Sequence, residues 1–179
     1  MQNIWKRIGV KPKGEDGKSV RELDQFIQIH GIQGRIIKLS VPTPTVETAA
    51  EAIGTTVDKI VKSLLFLIDG QPTLVISPGT QHIDRRSLAK HFDVGRKRVK
   101  LADAEKVLEL TGFEVGSVPP FGHRQTLSVI LDENIFLQSI DYAGGGSRDA
   151  LLEISPEEIL RVTSATVINL HTDAEVKID

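Results

Sequence analysis

The sequence predicts an α+β fold, and three observations predict it. Apolar strand candidates come in pairs around short polar turns: Val61–Ile68 and Thr73–Ser77 flank Asp69-Gly70-Gln71-Pro72, and Thr126–Leu131 and Ile135–Ile140 flank Asp132-Glu133-Asn134. Helical stretches with caps are scattered between these pairs instead of alternating one for one with strands, which argues against a βαβ chain. The 179 residues are 40% hydrophobic and 26% charged, ordinary values for one globular domain. Aromatics are only 4%, so the core must rest on Ile, Leu and Val.

Taken in order, residues 1–18 are polar and punctuated by Lys11-Pro12-Lys13-Gly14 and Glu15-Asp16-Gly17, and read as a loosely docked lead-in despite Trp5 and Ile8. A single domain is expected over 19–179. Ser19 with Glu22 has capping-box spacing; Leu23, Phe26 and Ile27 give the apolar face and Gly31 the stop. Arg35–Leu39 is a short strand candidate. Val41-Pro42-Thr43-Pro44 breaks the chain before a helix over Val46–Ile53, ended by Gly54. Thr56–Lys59 forms one helical turn into the Val61–Ile68 strand, which is so uniformly apolar beyond Ser63 that it must be covered on both faces. Asp84 caps a helix carrying Leu88, Ala89 and Phe92, and Asp103 caps another carrying Val107, Leu108 and Leu110, with Gly112 as its stop. After the second strand pair comes Tyr142–Arg148 with three consecutive glycines, then a strand candidate at Leu151–Ile154. Ser155-Pro156-Glu157-Glu158 is a complete helix start, and Val167–Leu170 is extended.

Composition excludes several chemistries. There is no Cys, so no disulfide framework, thiolate metal site or cysteine nucleophile. Gly-x-Ser-x-Gly, His-Glu-x-x-His, Walker and Gly-x-Gly-x-x-Gly motifs are absent, and the five histidines are scattered, so no metal and no cofactor is indicated. The first residues hold no signal-type apolar core and no run approaches membrane-spanning length, so a cytoplasmic protein with no membrane partner is expected. The net charge of −2 is unevenly spread: between Asp84 and Lys100 seven Lys/Arg stand against two Asp. A basic segment on an acidic body suits a nucleic-acid contact, and suits equally an ordinary solvated helix and turn.

The stretch from Gly112 to Gly122 holds three glycines and the pair Pro119-Pro120. Proline fixes φ and removes a donor, while glycine lets backbone approach closely, so the loop is stiff at one end and open at Gly116. From composition alone it is a rigid connector or a ligand-facing loop. Gly116-Ser117-Val118-Pro119-Pro120 resembles the Gly-x-x-x-Pro loop of the YbaK family, the prolyl-tRNA-synthetase-associated editing domains. Ile60-Val61-Lys62-Ser63-Leu64 is similar to that family's Lys-Ser/Thr-Leu strand entry, and Leu110-Thr111-Gly112-Phe113 followed by Pro120-Phe121-Gly122 matches in order. The resemblance runs from about Val20 to Leu170.

This resemblance implies a mixed, partly barrel-like sheet surrounded by helices, and a free-standing deacylase that hydrolyses mischarged aminoacyl-tRNA in trans. It implies Lys62 as the functionally required residue, anchoring a phosphate or ribose or polarising the ester carbonyl; read without it, Lys62 is a snorkelling cap on a sheet end. It implies a substrate wall of Gly116, Ser117, Val118, Pro119 and Pro120, and a second of Gly144, Gly145 and Gly146. There Gly144 stands where the family commonly has Ser, and Arg148 keeps the basic position. Arg96, Lys97 and Arg98, supported by Arg86 and Lys90, are the expected tRNA contacts. The partners implied are tRNA and, beside it, an aminoacyl-tRNA synthetase. A non-catalytic tRNA-binding or synthetase-associated module, and hydrolysis of another small ester, are the alternatives.

Overall fold

The computed structural model describes residues 19–171, so the expected lead-in over 1–18 lies outside the described residues. The caps set the helices. Ser19 and Glu22 form the reciprocal capping box that opens α1 (Val20–Ile29), and Thr45 with Thr48 does the same for α2 (Val46–Ile53), which ends at Gly54 in the left-handed region. Asp84 opens α3 (Arg85–His91), Asp103 opens α4 (Ala104–Thr111), and Ser155 with Pro156 at the first turn opens α5 (Pro156–Thr163).

Among the described residues eight strands form two sheets. One is antiparallel, ordered β1 (Gly34–Lys38), β7 (Ala150–Ile154), β6 (Asp141–Gly144). The other runs β4 (Val99–Leu101), β2 (Val61–Ile68), β3 (Gln71–Pro78), β5 (Ser128–Asp132), β8 (Thr166–Ile168), antiparallel across β4-β2-β3 and parallel across β3-β5-β8. The fold is thus α+β with a mixed sheet, but the sheet is split and does not close into a barrel. A parallel bridge from Ile60 to Tyr142 joins the halves.

The β2–β3 hairpin has a two-residue turn, Asp69-Gly70, both with positive φ (50° and 83°), the geometry that matches strand twist. Its two faces separate as expected. Leu65, Leu74 and Ile76 join the main core with α1, α4 and α5, while Phe66, Val75 and Ile68 pack under Leu88 and Ala89 of α3. The expected second hairpin does not form. Asp132 caps the chain through the amide of Asn134, so Glu133–Leu137 winds into a 3-10 turn, and the next strand is β6, which runs into the glycine run. β5 instead pairs in parallel with β3 and β8, a long-range arrangement that local patterning does not encode.

Asp141, at the start of β6, is fully buried, and neither carboxylate oxygen has a hydrogen-bond partner among the described residues. Desolvation, reinforced by the charges of Glu157 and Asp58, pushes it up to about 8, with Lys59 opposing. An acid raised in this way stays protonated in the fold while the unfolded chain ionises. Stability is therefore fully present below the ordinary carboxylate range and falls as pH rises toward 8. Asp141→Asn keeps the shape and removes the titration. It should stabilise by roughly 1–3 kcal/mol at pH 8 and by nearly nothing at pH 4, read from denaturant melts at the two pH values.

Candidate active site

The site lies at the seam between the sheets. At its start β2 is bridged to β6; from Phe66 onward it pairs with β4 instead. The Ala102 amide donates to the Leu65 carbonyl (2.9 Å), so that carbonyl faces β4, whereas the Ile60 carbonyl accepts from the Gly79 amide on the β3 side. Alternation along the strand turns the N–H and C=O of Ser63 to the β4 side, where the ladder covers only Phe66–Ile68. Among the described residues Ser63 thus presents a strand edge that the β4 ladder does not cover, and its hydroxyl is buried without a hydrogen-bond partner. Here a cavity of about 230 Å³ opens.

Lys62 and Ser63 form part of the cavity wall. The half-buried Lys62 ammonium donates to the Gly79 carbonyl (3.1 Å) and to the Gln81 carbonyl. An ammonium has three donors, so two hold it to the backbone beyond β3 and one is left over. Burial lowers its pKa from the ordinary lysine value, and no ion pair with a carboxylate offsets this among the described residues. Sequence reasoning found Lys62 but not its acceptors. Only glycine fits at 79: a Cβ there would stand 2.6 Å from Cγ2 of Val46 and 2.9 Å from the Ile60 carbonyl oxygen, and Pro78-Gly79 at a strand end was the available signal.

The Gly112–Gly122 stretch folds as a loop whose residues divide. Gly116 has φ +89° and nothing within 4 Å of the position a Cβ would take, so it is both conformationally required and open. Gly116 and Val118 line the cavity. Ser117 turns away, with amide and hydroxyl both donating to the Glu114 carbonyl (3.0 and 2.9 Å). Pro119 and Pro120 are buried outside the cavity wall, the Pro119 carbonyl lying 2.8 Å from Nε2 of His123.

The glycine run is brought against this loop. Gly144 lines the cavity, and a Cβ on it would sit 2.5 Å from the Val118 carbonyl oxygen and 2.7 Å from the carbonyl carbon of Ser117. A Cβ at Gly145 would meet the Ala150 backbone at 2.6 Å, and the Gly146 amide donates to the Ser117 carbonyl (3.0 Å). Gly145 and Gly146 are buried behind the wall. The run is a close-packed seam, and in this backbone a serine at 144 has no room. Arg148 is exposed, 3.3 Å from Glu114, while its carbonyl accepts from the Thr43 amide (2.9 Å), holding the segment that leads into α2 against the cavity.

The basic residues lie apart from the wall but on an element that reaches it. Arg96, Lys97 and Arg98 form an exposed 3-10 turn, and β4 runs from it to Leu101 and Ala102 in the cavity wall. Arg98 is tied to Asp69 (2.7 Å). Arg86 and Lys90 are exposed on α3, whose Leu88 and Ala89 share a buried cluster with Val99. Among the described residues no three His, Asp or Glu side chains gather as metal ligands would. No helix there is long and apolar enough to cross a membrane.

The family model described as the aminoacyl-tRNA editing domain matches residues 40–162, which takes in every element of this cavity. The chain belongs to that family. It is 32% identical over 125 residues to the uncharacterized protein YwhH of Bacillus subtilis (strain 168), covering 69% of this chain and 78% of the relative. It is 29% identical over 133 residues to the multifunctional Ser/Thr-tRNA deacylase ProXp-y of Escherichia coli (strain K12), covering 72% and 78%. A crystal structure of a candidate trans-editing enzyme for prolyl tRNA synthetase superposes with a TM-score of 0.80 at 31% identity, covering 92% of this editing domain and all of that chain.

Proposed function

We propose that this editing domain hydrolyses the ester of mischarged aminoacyl-tRNA, acting in trans in the cytoplasm. The observation that carries the reading is the cavity in which the Lys62 ammonium, the strand edge at Ser63 and the open backbone at Gly116 converge. An aminoacyl ester is already activated, so its hydrolysis needs a held substrate, a placed water and charge stabilisation more than a protein nucleophile. The third donor of Lys62 serves the substrate's phosphate or ester oxygen. Gly116, Val118 and Gly144 enclose the aminoacyl group, and Ser117, Pro119, Pro120, Gly145 and Gly146 fix that enclosure from behind.

The acceptor stem is held by Arg96 and Lys97, with Arg86 and Lys90 in support; Arg98 contributes less, being paired with Asp69. β4 spans only three residues, about 10 Å of strand between the basic turn and the cavity, which supports a stem contact close to the reacting end. A deacylation screen against tRNAs charged with different amino acids is the test: turnover of at least one is expected. Binding of tRNA without turnover of any would make the chain a non-catalytic module. In the same assay Arg96→Glu with Lys97→Glu should raise KM several-fold on aminoacyl-tRNA and flatten its salt dependence, while leaving an aminoacyl-adenosine, which has no stem, nearly unchanged. Equal losses on both substrates would remove these residues from the tRNA contact.

A further inference from the structure

Seven large hydrophobic side chains are markedly exposed among the described residues. Exposed apolar residues scattered singly need no explanation. Two of the seven differ from the rest: Leu101, 48% exposed, and Val115, 50% exposed, both line the cavity that holds Lys62, and Ile29, Val41, Val57, Leu137 and Val167 do not. They come from the two ends of one segment. Leu101 closes β4 just before α4, and Val115 follows α4 beside Gly116. The segment between them stays at the cavity, with Ala102 and Val107 in its wall, and the two exposed aliphatic side chains stand at its ends.

We infer that Leu101 and Val115 form the seat for the terminal base of the RNA, gripping its faces while the ester lies deeper beside Lys62. The inference rests on the deacylase reading above and adds the part of the substrate that this rim recognises. Three chemistries are laid out in order along the site. Cations at Arg96 and Lys97 suit phosphates, the aliphatic pair suits something apolar and flat, and the Lys62 ammonium with the strand edge at Ser63 suits an ester. In the 3′-terminal nucleotide of a tRNA the group between backbone phosphate and acylated ribose hydroxyl that can cover two aliphatic side chains is the base. Leu and Val carry no hydrogen-bonding group, so they hold the ring by its faces and contribute affinity without reading its edge.

The test uses RNA minihelices charged with the amino acid turned over fastest in that deacylation screen, ending either in adenosine or in an abasic ribonucleotide. The wild-type protein should show a KM roughly tenfold lower for the adenosine-ended substrate. Leu101→Ser with Val115→Ser should erase most of that ratio by raising KM on the adenosine-ended substrate alone, with kcat and melting temperature close to wild type. Arg96→Glu, in contrast, should raise KM on both. A wild-type protein that treats the two ends alike, or a double variant that loses equally on both, overturns the seat while the deacylase reading stands. No turnover of any charged RNA by the wild type defeats the deacylase reading itself.

Discussion

Lys62→Ala is expected to lower kcat/KM for deacylation by at least about a hundredfold in a protein that still folds. Among the described residues the ammonium is the one basic side chain in the cavity wall, and it is aimed by two backbone carbonyls, so its loss removes charge from the site without opening the core. The measurement is single-turnover deacylation beside a thermal melt. Wild-type turnover in the folded variant would remove Lys62 from the reaction. Lys62→Arg should recover little, because a planar fork cannot sit between the Gly79 and Gln81 carbonyls and still offer a donor in the same place. The pH profile gives an independent readout. Burial lowers the Lys62 pKa, so the ammonium, and activity with it, should be lost on the alkaline side at lower pH than an ordinary lysine would allow. An alkaline limb unchanged in Lys62→Arg would assign that limb to another group.

A large stability effect should come from Gly144. Adding even one methyl places carbon within 2.5–2.8 Å of three backbone atoms of Ser117 and Val118, and backbone cannot swing aside as a flexible side chain can. Gly144→Ala should cost about 3 kcal/mol or more in a denaturant melt, and Gly144→Ser no less. Serine at this position is therefore not a missing catalytic hydroxyl waiting to be restored. A Gly144→Ser protein that melts like wild type and deacylates faster would show instead that the Ser117–Val118 loop yields and that the hydroxyl has a use.

Much of this was readable in one dimension because its causes are local. Capping pairs such as Ser19 with Glu22, the left-handed stops at Gly54 and Gly112, and the apolar run of β2 each act within a few residues, and each appears where expected. Lys62 was legible as a charge at the mouth of an apolar strand. The misreadings have non-local causes. Ile135–Ile140 looks apolar enough for a strand, but β5 finds its partners in β3 and β8, leaving that segment to wind under the Asp132 cap. β4 was hidden inside a run read for its charge, since three residues are too few to show a period. The glycine run carried its meaning in atoms from another segment, the Ser117–Val118 backbone, and no spacing within the run points there.

The seam between the sheets also bears on how such a pocket changes over generations. One wall, with Lys62, Leu65 and Leu101, belongs to the five-stranded ladder; the other, with Ala143 and Leu151, belongs to the three-stranded one, and the described backbone links them through the Ile60–Tyr142 bridge. Each ladder keeps its own register. A side chain on one wall can therefore grow or shrink without disturbing the hydrogen bonds that hold the opposite wall. Drift in Ala143 or Leu151 resizes the chamber while Lys62 stays fixed by Gly79 and Gln81. The architecture separates the wall that carries the charge from the wall that sets the chamber's volume, so size can vary on one side without moving the ammonium on the other.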